Sequence, residues 1–318
     1  MIKKTLYFGN PAYLSLRTGQ MVIKLPEVER NNTLPETFKR QAEVTKPIED
    51  IGVVVLDNKQ ITITQGLLEA LLENNSAVIT CDSKSMPVGL MLPLCGNSIQ
   101  NERFRDQLEA SVPLKKQLWQ QTINAKIENQ AAVLSCCTGK EIGCMQAWAN
   151  DVRSGDPDNL EGRAAAYYWK SLFADIEGLE NFTRNRDGIH PNNLLNYGYA
   201  ILRAVVARGL VSSGMLPTLG IHHHNRYNAY CLADDIMEPY RPYVDDIVFS
   251  IVREYGCDNL ELTKEIKAQL LSIPTTEVII GGKRSPLMIA VSQTTASLYR
   301  CFSGELRRIT YPDIQPST

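Results

Sequence analysis

Roughly the first ninety residues alternate between apolar and polar positions in short runs, with Gly, Asn and Pro residues between the runs. Alternation of this kind predicts β-strands that bury one face. Four leucines within residues 66–73 lie instead at helical spacing, so that segment is predicted to be a short helix. The predicted strands cover residues 5–8, 13–17, 21–25, 51–56, 61–64, 77–81 and 88–91.

The spacing of apolar positions becomes helical beyond a break at residues 93–100. We therefore predict an α+β protein with a β-rich domain over residues 1–95 and an all-α domain over residues 96–306. Two prolines in residues 307–318 indicate a flexible tail. The predicted helices cover residues 102–110, 114–136, 140–148, 191–210, 234–255, 262–271 and 286–306, and a further one begins at Glu161.

The charge of the chain indicates no overall attraction to nucleic acid, because its formal net charge is −2. Any contact with DNA must come from local basic patches or from an assembly of subunits. One candidate patch is the row Lys115, Lys116 and Lys126 along the predicted helix 114–136. These lysines are either a solvated face or a track for phosphates, and the sequence leaves both open.

The eight cysteines include no C-x-x-C pair, which argues against a zinc ribbon. The first residues lack the apolar core of a signal peptide, and we expect no apolar run of membrane-spanning length. The expectation is a cytoplasmic protein with reduced thiols and no membrane contact.

Candidate chemistry concentrates in residues 220–245, which contain three adjacent histidines at 222–224. Asp235 and Glu238 follow in a helical pattern, where a spacing of three places both on one face. Imidazole nitrogen and carboxylate oxygen together suit a divalent ion such as Mn²⁺ or Mg²⁺. Glu161, at the start of another predicted helix, is the best candidate for a further ligand.

The residues alone leave purely structural interpretations of these positions open. Asp234 could be a helix N-cap, and acids in a first helical turn are favoured by the helix dipole. Three adjacent histidines could also lie in a solvated loop. Glu161 by itself is weak evidence for a site.

Four segments, taken together, resemble the CRISPR-associated integrases, which insert new spacers into a CRISPR array. N-L-E-G-R-A-A-A-Y-Y-W (159–169) resembles that family's N-x-E-G-x-A-A-x-x-Y-W element, and N-N-L-L-N-Y-G-Y (192–199) its N-x-L-L-x-F-G-Y helix. G-I-H-H (220–223) and D-I-M-E-P-Y-R-P (235–242) resemble two further elements, in the family's order. The chain is most similar to members from type II systems.

This resemblance implies a metal-dependent DNA integrase and endonuclease that joins a donor 3′-OH to a target phosphate by transesterification. It implies Glu161, His223 and Glu238 as ligands of Mg²⁺ or Mn²⁺, with Asp235 as a further catalytic residue. His223 matches the family's histidine by its place after Gly220, while the run of histidines leaves the register open by one residue. The family's N-terminal domain is a small β-sandwich that carries a homodimer contact.

The partners implied are double-stranded DNA, as donor spacer and CRISPR repeat, and a small ferredoxin-like CRISPR-associated protein. A dimer of that protein would join two homodimers in a heterohexamer, and the type II effector nuclease is a further expected partner. Basic residues near the motifs and in loops are the predicted DNA contacts, although an arginine beside carboxylates is as often a structural ion pair. They are Arg163, Arg184, Arg186, Arg226, Arg241, Lys283 and Arg284.

One alternative enzyme class remains, an all-helical metal-dependent phosphohydrolase. Such an enzyme also combines adjacent histidines with an aspartate. It usually takes more histidines from other helices, and His190 is the only one left in this sequence.

Overall fold

The computed structural model describes residues 3–185, 188, 190–257 and 260–314. The chain divides into two compact units, Met1–Gly96 and Asn97–Thr318. The first unit is built mainly of strands and the second mainly of helices, so the predicted α+β class is confirmed.

One sheet of the first unit has the order β1-β5-β7-β8 and runs parallel through its first three strands. Its strands are β1 (Lys4–Phe8), β5 (Ile51–Leu56), β7 (Ala77–Cys81) and β8 (Pro87–Met91), the last antiparallel. The sequence I-G-V-V-V-L of β5 is apolar without a break, and five of its six residues are buried. Continuous apolar runs are typical of parallel strands covered on both faces.

The second sheet has the order β4-β3-β2-β6, and it shares one hydrophobic core with the first. Its strands are β4 (Val44–Pro47), β3 (Gln20–Lys24), β2 (Tyr13–Arg17) and β6 (Thr62–Ile63). Three short helices complete the unit: α1 (Pro26–Glu29), α2 (Glu36–Gln41) and α3 (Gln65–Glu73). The predicted leucine stripe of α3 supplies Leu67 and Leu71 to this core, which also includes Leu14 and Val54.

The second unit is organised around α5 (Val112–Thr138), which lies against α6, α7 and α10. Ser111 caps its first turn by accepting a hydrogen bond from the Leu114 N–H, and Gly139 ends it in the left-handed conformation at φ +67°. The other helices are α4 (Gln100–Glu109), α6 (Gly143–Asp151), α7 (Leu160–Leu172), α8 (Asn192–Ser212), α9 (Cys231–Met237), α10 (Arg241–Tyr255), α11 (Lys264–Leu270) and α12 (Leu287–Phe302).

The prediction that the second domain is all-α is wrong in one detail, because this unit also holds a small antiparallel sheet. Its strands are β9 (Glu277–Ile280), β10 (Lys283–Pro286) and β11 (Pro312–Asp313), in the order β10-β9-β11. The turn at Gly281 and Gly282 closes the β9–β10 hairpin, with both glycines at positive φ.

The described part of the expected flexible tail, residues 307–314, is instead packed on the second unit. Ile309, Tyr311 and Pro312 are buried, and the short edge strand β11 pairs with β9. Asn129 of α5 fastens this segment. Its Nδ2 donates to the carbonyls of Pro312 (2.9 Å) and Pro239 (2.8 Å), and its Oδ1 accepts from the Ile314 N–H (2.9 Å).

Helix α8 is the one helix among the described residues that is long and apolar enough to cross a membrane by length and composition. Of its most apolar window, 78% is buried inside the protein. This burial is typical of the core helix of a globular domain.

Candidate functional site

The ammonium group of Lys126 lies between two carboxylates that come from different helical segments. Its Nζ is 2.6 Å from Glu161 Oε1 and 2.7 Å from Glu238 Oε2. The Lys126 side chain is 8% exposed and that of Glu238 only 4%, whereas Glu161 is 26% exposed. The two glutamates predicted as metal ligands thus converge on one point, and a buried cation stands there.

The position of Glu161 is set by the capping of α7. The side chain of Asn159 accepts a hydrogen bond from the Gly162 N–H, which fixes the first turn. The Asp156 carboxylate accepts from the N–H groups of Leu160 (2.9 Å) and Glu161 (3.0 Å). The first turn of α7 is therefore held by two side-chain acceptors, Asp156 and Asn159, while the side chain of Glu161 reaches Lys126.

Glu238 begins a short 3₁₀ turn between α9 and α10, where it lies between two cations. Its Oε1 is 3.1 Å from Arg241 Nη2, and its Oε2 faces Lys126. Burial alone would raise the pKa of Glu238, but Arg241 and Lys126 outweigh it and lower that pKa. Glu238 is therefore an ionised, buried carboxylate.

The donor set suits a hard divalent ion. Glu238 Oε2 is buried, and the charged group it faces among the described residues is the Lys126 ammonium at 2.7 Å. This oxygen already faces one cation, and a second carboxylate reaches the same point, so the two glutamates form a place suited to positive charge. Across the described ranges, no three His, Cys, Asp or Glu side chains are grouped closely enough to surround one ion as they stand.

Asp235 organises the histidine loop. Its carboxylate is fully buried and accepts hydrogen bonds from the backbone N–H groups of Ile221 (2.7 Å), His222 (2.9 Å) and His223 (3.3 Å). It also lies 2.5 Å from Nδ1 of the His223 ring. With Nδ1 bound to Asp235, the other ring nitrogen of His223 faces away from this carboxylate.

The two candidate histidines have different surroundings. The His222 ring stacks on the buried Trp119, with ring centroids 4.1 Å apart and planes 2° from parallel. Burial lowers the pKa of His222. The hydrogen bond to Asp235 raises the pKa of His223, and the charges of Glu238 and Glu161 add to this rise. The charges of both glutamates thus act on the His223 ring. Unlike the His222 ring, it does not stack with parallel planes on Trp119.

Gly220 makes this loop possible by lacking a side chain. A Cβ atom placed there would lie 2.3 Å from the His223 carbonyl oxygen and 2.8 Å from the Asp235 carboxylate. Both distances are too short for a Cβ atom. The loop backbone and the Asp235 carboxylate can therefore approach each other this closely only when residue 220 is glycine.

A buried network supports the site from beneath. Asp245 of α10 accepts hydrogen bonds from the hydroxyls of Tyr168 (3.1 Å) and Tyr199 (2.5 Å). The Tyr199 ring lies 5.0 Å from the guanidinium of Arg241, which pairs with Glu238. Tyrosines from two of the four motif segments therefore donate to the same carboxylate. One of them, Tyr199, also lies against Arg241, which pairs with Glu238 of a third motif segment.

Known proteins similar to this chain identify its family. The family model for the CRISPR associated protein Cas1 matches residues 8–280. A CRISPR-associated endonuclease Cas1 from Neisseria meningitidis serogroup C (strain 8013) is 38% identical over 319 residues, covering 99% of this chain and 98% of that protein. The chain belongs to the Cas1 family. The membership predicted from the four motif segments is confirmed.

Two solved structures show that the chain has the Cas1 fold over nearly its whole length. A casposase bound to integration product superposes with a TM-score of 0.77 at 20% identity, covering 100% of this chain and 94% of the casposase chain. A chain of a Cas6-RT-Cas1–Cas2 complex gives a TM-score of 0.72 at 19% identity, covering 96% of this chain and 35% of that chain.

Two of the predicted DNA contacts are held by protein groups in this Cas1 chain. Arg184 donates to the side chains of Asn192 (2.9 Å) and Asn196 (2.7 Å), and Arg241 pairs with Glu238. Both guanidinium groups have the surroundings of structural arginines.

The other predicted DNA contacts lie on the surface. Arg163 lies over the Trp148 ring at 4.7 Å, and Arg226 contacts its neighbour Tyr227. Lys283 and Arg284 are exposed on β10, where Arg284 is 3.3 Å from the exposed Glu277. The last predicted contact, Arg186, lies outside the described residues.

Lys126 is the site residue that the sequence did not single out. Neither interpretation of the lysine row holds for it, because its side chain is buried against carboxylates. The helical spacing of the sequence did contain a signal that Lys126 is buried. Lys126 is three residues after Ile123 and seven before Val133, so it shares the apolar face of α5, and a lysine there requires an anion.

Proposed function

We propose that this chain is a metal-dependent DNA integrase and endonuclease that inserts new spacer DNA into a CRISPR array. The observation that carries the proposal is the convergence of Glu161 and Glu238 beside a histidine oriented by Asp235, within a Cas1 fold. Its Neisseria relative is named an endonuclease, and its casposase neighbour was solved with an integration product. Both names support phosphodiester chemistry at this site.

In this proposal Glu161, His223 and Glu238 hold a Mg²⁺ or Mn²⁺ ion. When bound, the ion lowers the pKa of the attacking 3′-hydroxyl and stabilises the charge that develops on the target phosphate. Asp235 fixes the His223 ring through Nδ1 and so presents the other nitrogen to the ion.

The remaining parts of the site keep the ligands charged and in place. Arg241 keeps Glu238 ionised and is itself placed by the Tyr199 ring. The stack of His222 on Trp119 holds the histidine loop against α5. Asp235 acts on the reaction through His223 and is a positioning residue in this scheme.

DNA and protein partners are part of the proposal. With a net charge of −2, the chain must bind duplex through local patches, and Arg163, Arg226, Lys283 and Arg284 are the exposed candidates. A neighbouring structure joins Cas1 with Cas2, which supports a small partner of that kind. We include a homodimer, a heterohexamer with a partner dimer, the type II effector nuclease as a further contact, and a cytoplasmic location.

The phosphohydrolase alternative gains no support from the histidines. The one histidine outside the loop, His190, has its Nδ1 2.8 Å from the Asn193 side chain, and among the described residues no hydrogen bond or ion pair joins it to the histidine loop. No observation on the described residues favours a phosphohydrolase over an integrase.

The test is an integration assay with purified partner, donor duplex with free 3′ ends and a plasmid containing a CRISPR repeat. Glu161→Ala, His223→Ala and Glu238→Ala should each abolish strand transfer, and EDTA should do the same to the wild type. Glu128→Ala, which removes an exposed carboxylate of α5, is the matched control and should retain activity. Wild-type integration by a folded ligand variant, or in EDTA, would refute the assignment.

His222→Ala tests the register in the same assay. It removes the ring stacked on Trp119 while leaving the Asp235–His223 pair, so we expect only a partial loss of strand transfer. Loss of activity in His222→Ala with retention in His223→Ala would move the ligand by one residue.

A further inference from the structure

We propose that Lys126 is a built-in counter-cation that competes with the metal ion for the space between Glu161 and Glu238. Its ammonium lies within 2.7 Å of one oxygen of each glutamate, where a shared divalent ion would have to stand. The lysine would neutralise the pair while the ion is absent and leave the shared space when the ion binds. This inference rests on the proposed function, because it assumes that the two glutamates are metal ligands.

The burial of Glu238 explains why such a cation is needed. A carboxylate that is 4% exposed carries a large desolvation cost unless opposite charges compensate it. Arg241 approaches one oxygen of Glu238, and Lys126 is the group that faces the other. Without Lys126 and without metal, Glu161 and Glu238 would repel each other across a site that is closed on the Glu238 side.

The same argument gives the direction of the effect on metal binding. A group that stabilises the metal-free state lowers the apparent affinity for the ion, because binding must first displace it. Removing the lysine should therefore strengthen metal binding. If Lys126 only positioned the glutamates for the ion, its removal would weaken binding, so the two roles predict opposite signs.

Of the two cations beside Glu238, Lys126 is the one built to move. An ammonium group is a compact charge on a flexible four-carbon chain, and it keeps its hydrogen-bonding capacity as it rotates. Arg241 has a planar guanidinium placed against the Tyr199 ring at 5.0 Å. Displacing Lys126 therefore leaves the support of Glu238 Oε1 unchanged.

The experiment measures Mn²⁺ binding by isothermal titration calorimetry on the full chain without DNA. Lys126→Met should lower the dissociation constant for Mn²⁺ by roughly tenfold or more relative to wild type. Its thermal midpoint without metal should fall, and the rise on adding Mn²⁺ should exceed that of wild type.

Two control variants separate the site from general effects of losing a lysine. Lys140→Met removes another lysine from a carboxylate pair, that with Asp175 at 2.8 Å, and should leave Mn²⁺ affinity unchanged. Lys126→Arg keeps a positive charge in the site and should show no gain in affinity. If Lys126→Met does not fold, Lys126→Gln replaces it with the same expected direction.

The outcomes distinguish this inference from the proposed function. Equal or weaker Mn²⁺ binding by Lys126→Met and Lys126→Gln, with normal binding by wild type, would overturn the competing role alone. Absence of Mn²⁺ and Mg²⁺ binding by wild type and all variants would instead overturn the metal dependence itself.

Discussion

Tyr199 donates a hydrogen bond of 2.5 Å to Asp245, in a region where both side chains are buried. The bond links α8 to α10 beneath the site, and the Tyr199 ring on its other side supports Arg241. Asp245 thereby affects Glu238 through two intermediates without touching it. A carboxylate so deeply placed should also be visible in the pH dependence of stability.

Burial raises the pKa of Asp245 to about 7. Between the ordinary pKa of an aspartate and this value the folded state binds more protons than the unfolded state, so the free energy of unfolding falls as pH rises through this window. Asp245→Asn cannot ionise and should lose this component, on the order of 2 kcal/mol between pH 5 and 8. Urea denaturation of both proteins across that range measures it.

The control for Asp245 is its neighbour in sequence. Asp246 is exposed on the same helix, so Asp246→Asn should keep the pH dependence of the wild type. Parallel stability profiles for wild type and Asp245→Asn would show that the carboxylate is not protonated in the folded state at pH 5.

Asp235→Asn should disturb the histidine loop without removing a metal ligand. The variant replaces one of the two carboxylate oxygens that accept from three backbone N–H groups by an amide, which should destabilise the fold by about 2–3 kcal/mol. The pKa of His223, now raised by Asp235, should fall, and strand transfer should drop by roughly 10–100-fold. NMR titration of the histidine ring protons gives the pKa.

Asp234→Asn is the matched control, because Asp234 lies next in sequence but pairs with Arg203 and Asn228. It should leave the His223 pKa unchanged. If both variants lowered that pKa equally, the Asp235 bond would not be its cause.

Binding of duplex DNA by the chain alone should be weak and steeply salt-dependent, because a net charge of −2 leaves only local patches. Arg226→Ala should weaken binding and reduce the slope of log affinity against log salt by about 1, if its charge contacts one phosphate. Arg153→Ala is the control, since that exposed arginine already pairs with Asp158. Tight binding that is insensitive to salt would contradict a patch-based contact.

The first unit should make the two-fold contact of the homodimer. Strand β8 is the outer strand of its sheet in the described part of the chain, and Val88 on it is 66% exposed. A charge at a two-fold contact meets its own copy, so Val88→Glu should split the dimer and abolish full-site integration. Light scattering at micromolar concentration measures the mass.

Gln60→Glu adds the same charge at another exposed position of this unit and should leave the dimer intact. A fragment beginning at Ser98 should be monomeric. A dimer formed by that fragment would move the contact to the second unit.

Helices and strands are predicted well from the sequence where a pattern of apolar residues extends over many positions. The long helix predicted over residues 114–136 is observed as Val112–Thr138, and the apolar run of β5 is found as predicted. The sheet β10-β9-β11 was beyond reach because β9 has four residues and pairs with a strand more than thirty residues later. Such short runs carry no period of their own, and tertiary pairing decides their state.

The site divides in the same way. Motif resemblance selects Glu161, His223 and Glu238 as the proposed ligands, because those residues stand in recognisable segments. It does not reveal that Asp235 accepts three backbone N–H groups or that a lysine faces both glutamates. These contacts join residues as much as 112 positions apart, Lys126 and Glu238, so only the packed fold determines them.

The fastening of the last described segment by Asn129 bears on how the protein is made. Chains leave the ribosome from their N-terminal end, so α5 and the turn after Glu238 are available well before residues 312–314. Until those residues emerge, Asn129 can bond the Pro239 carbonyl but lacks its partners at Pro312 and Ile314. The turn after Glu238 would therefore gain its full support from Asn129 and the last described segment only after residues 312–314 have emerged, later than Lys126, Glu161 and Glu238 themselves.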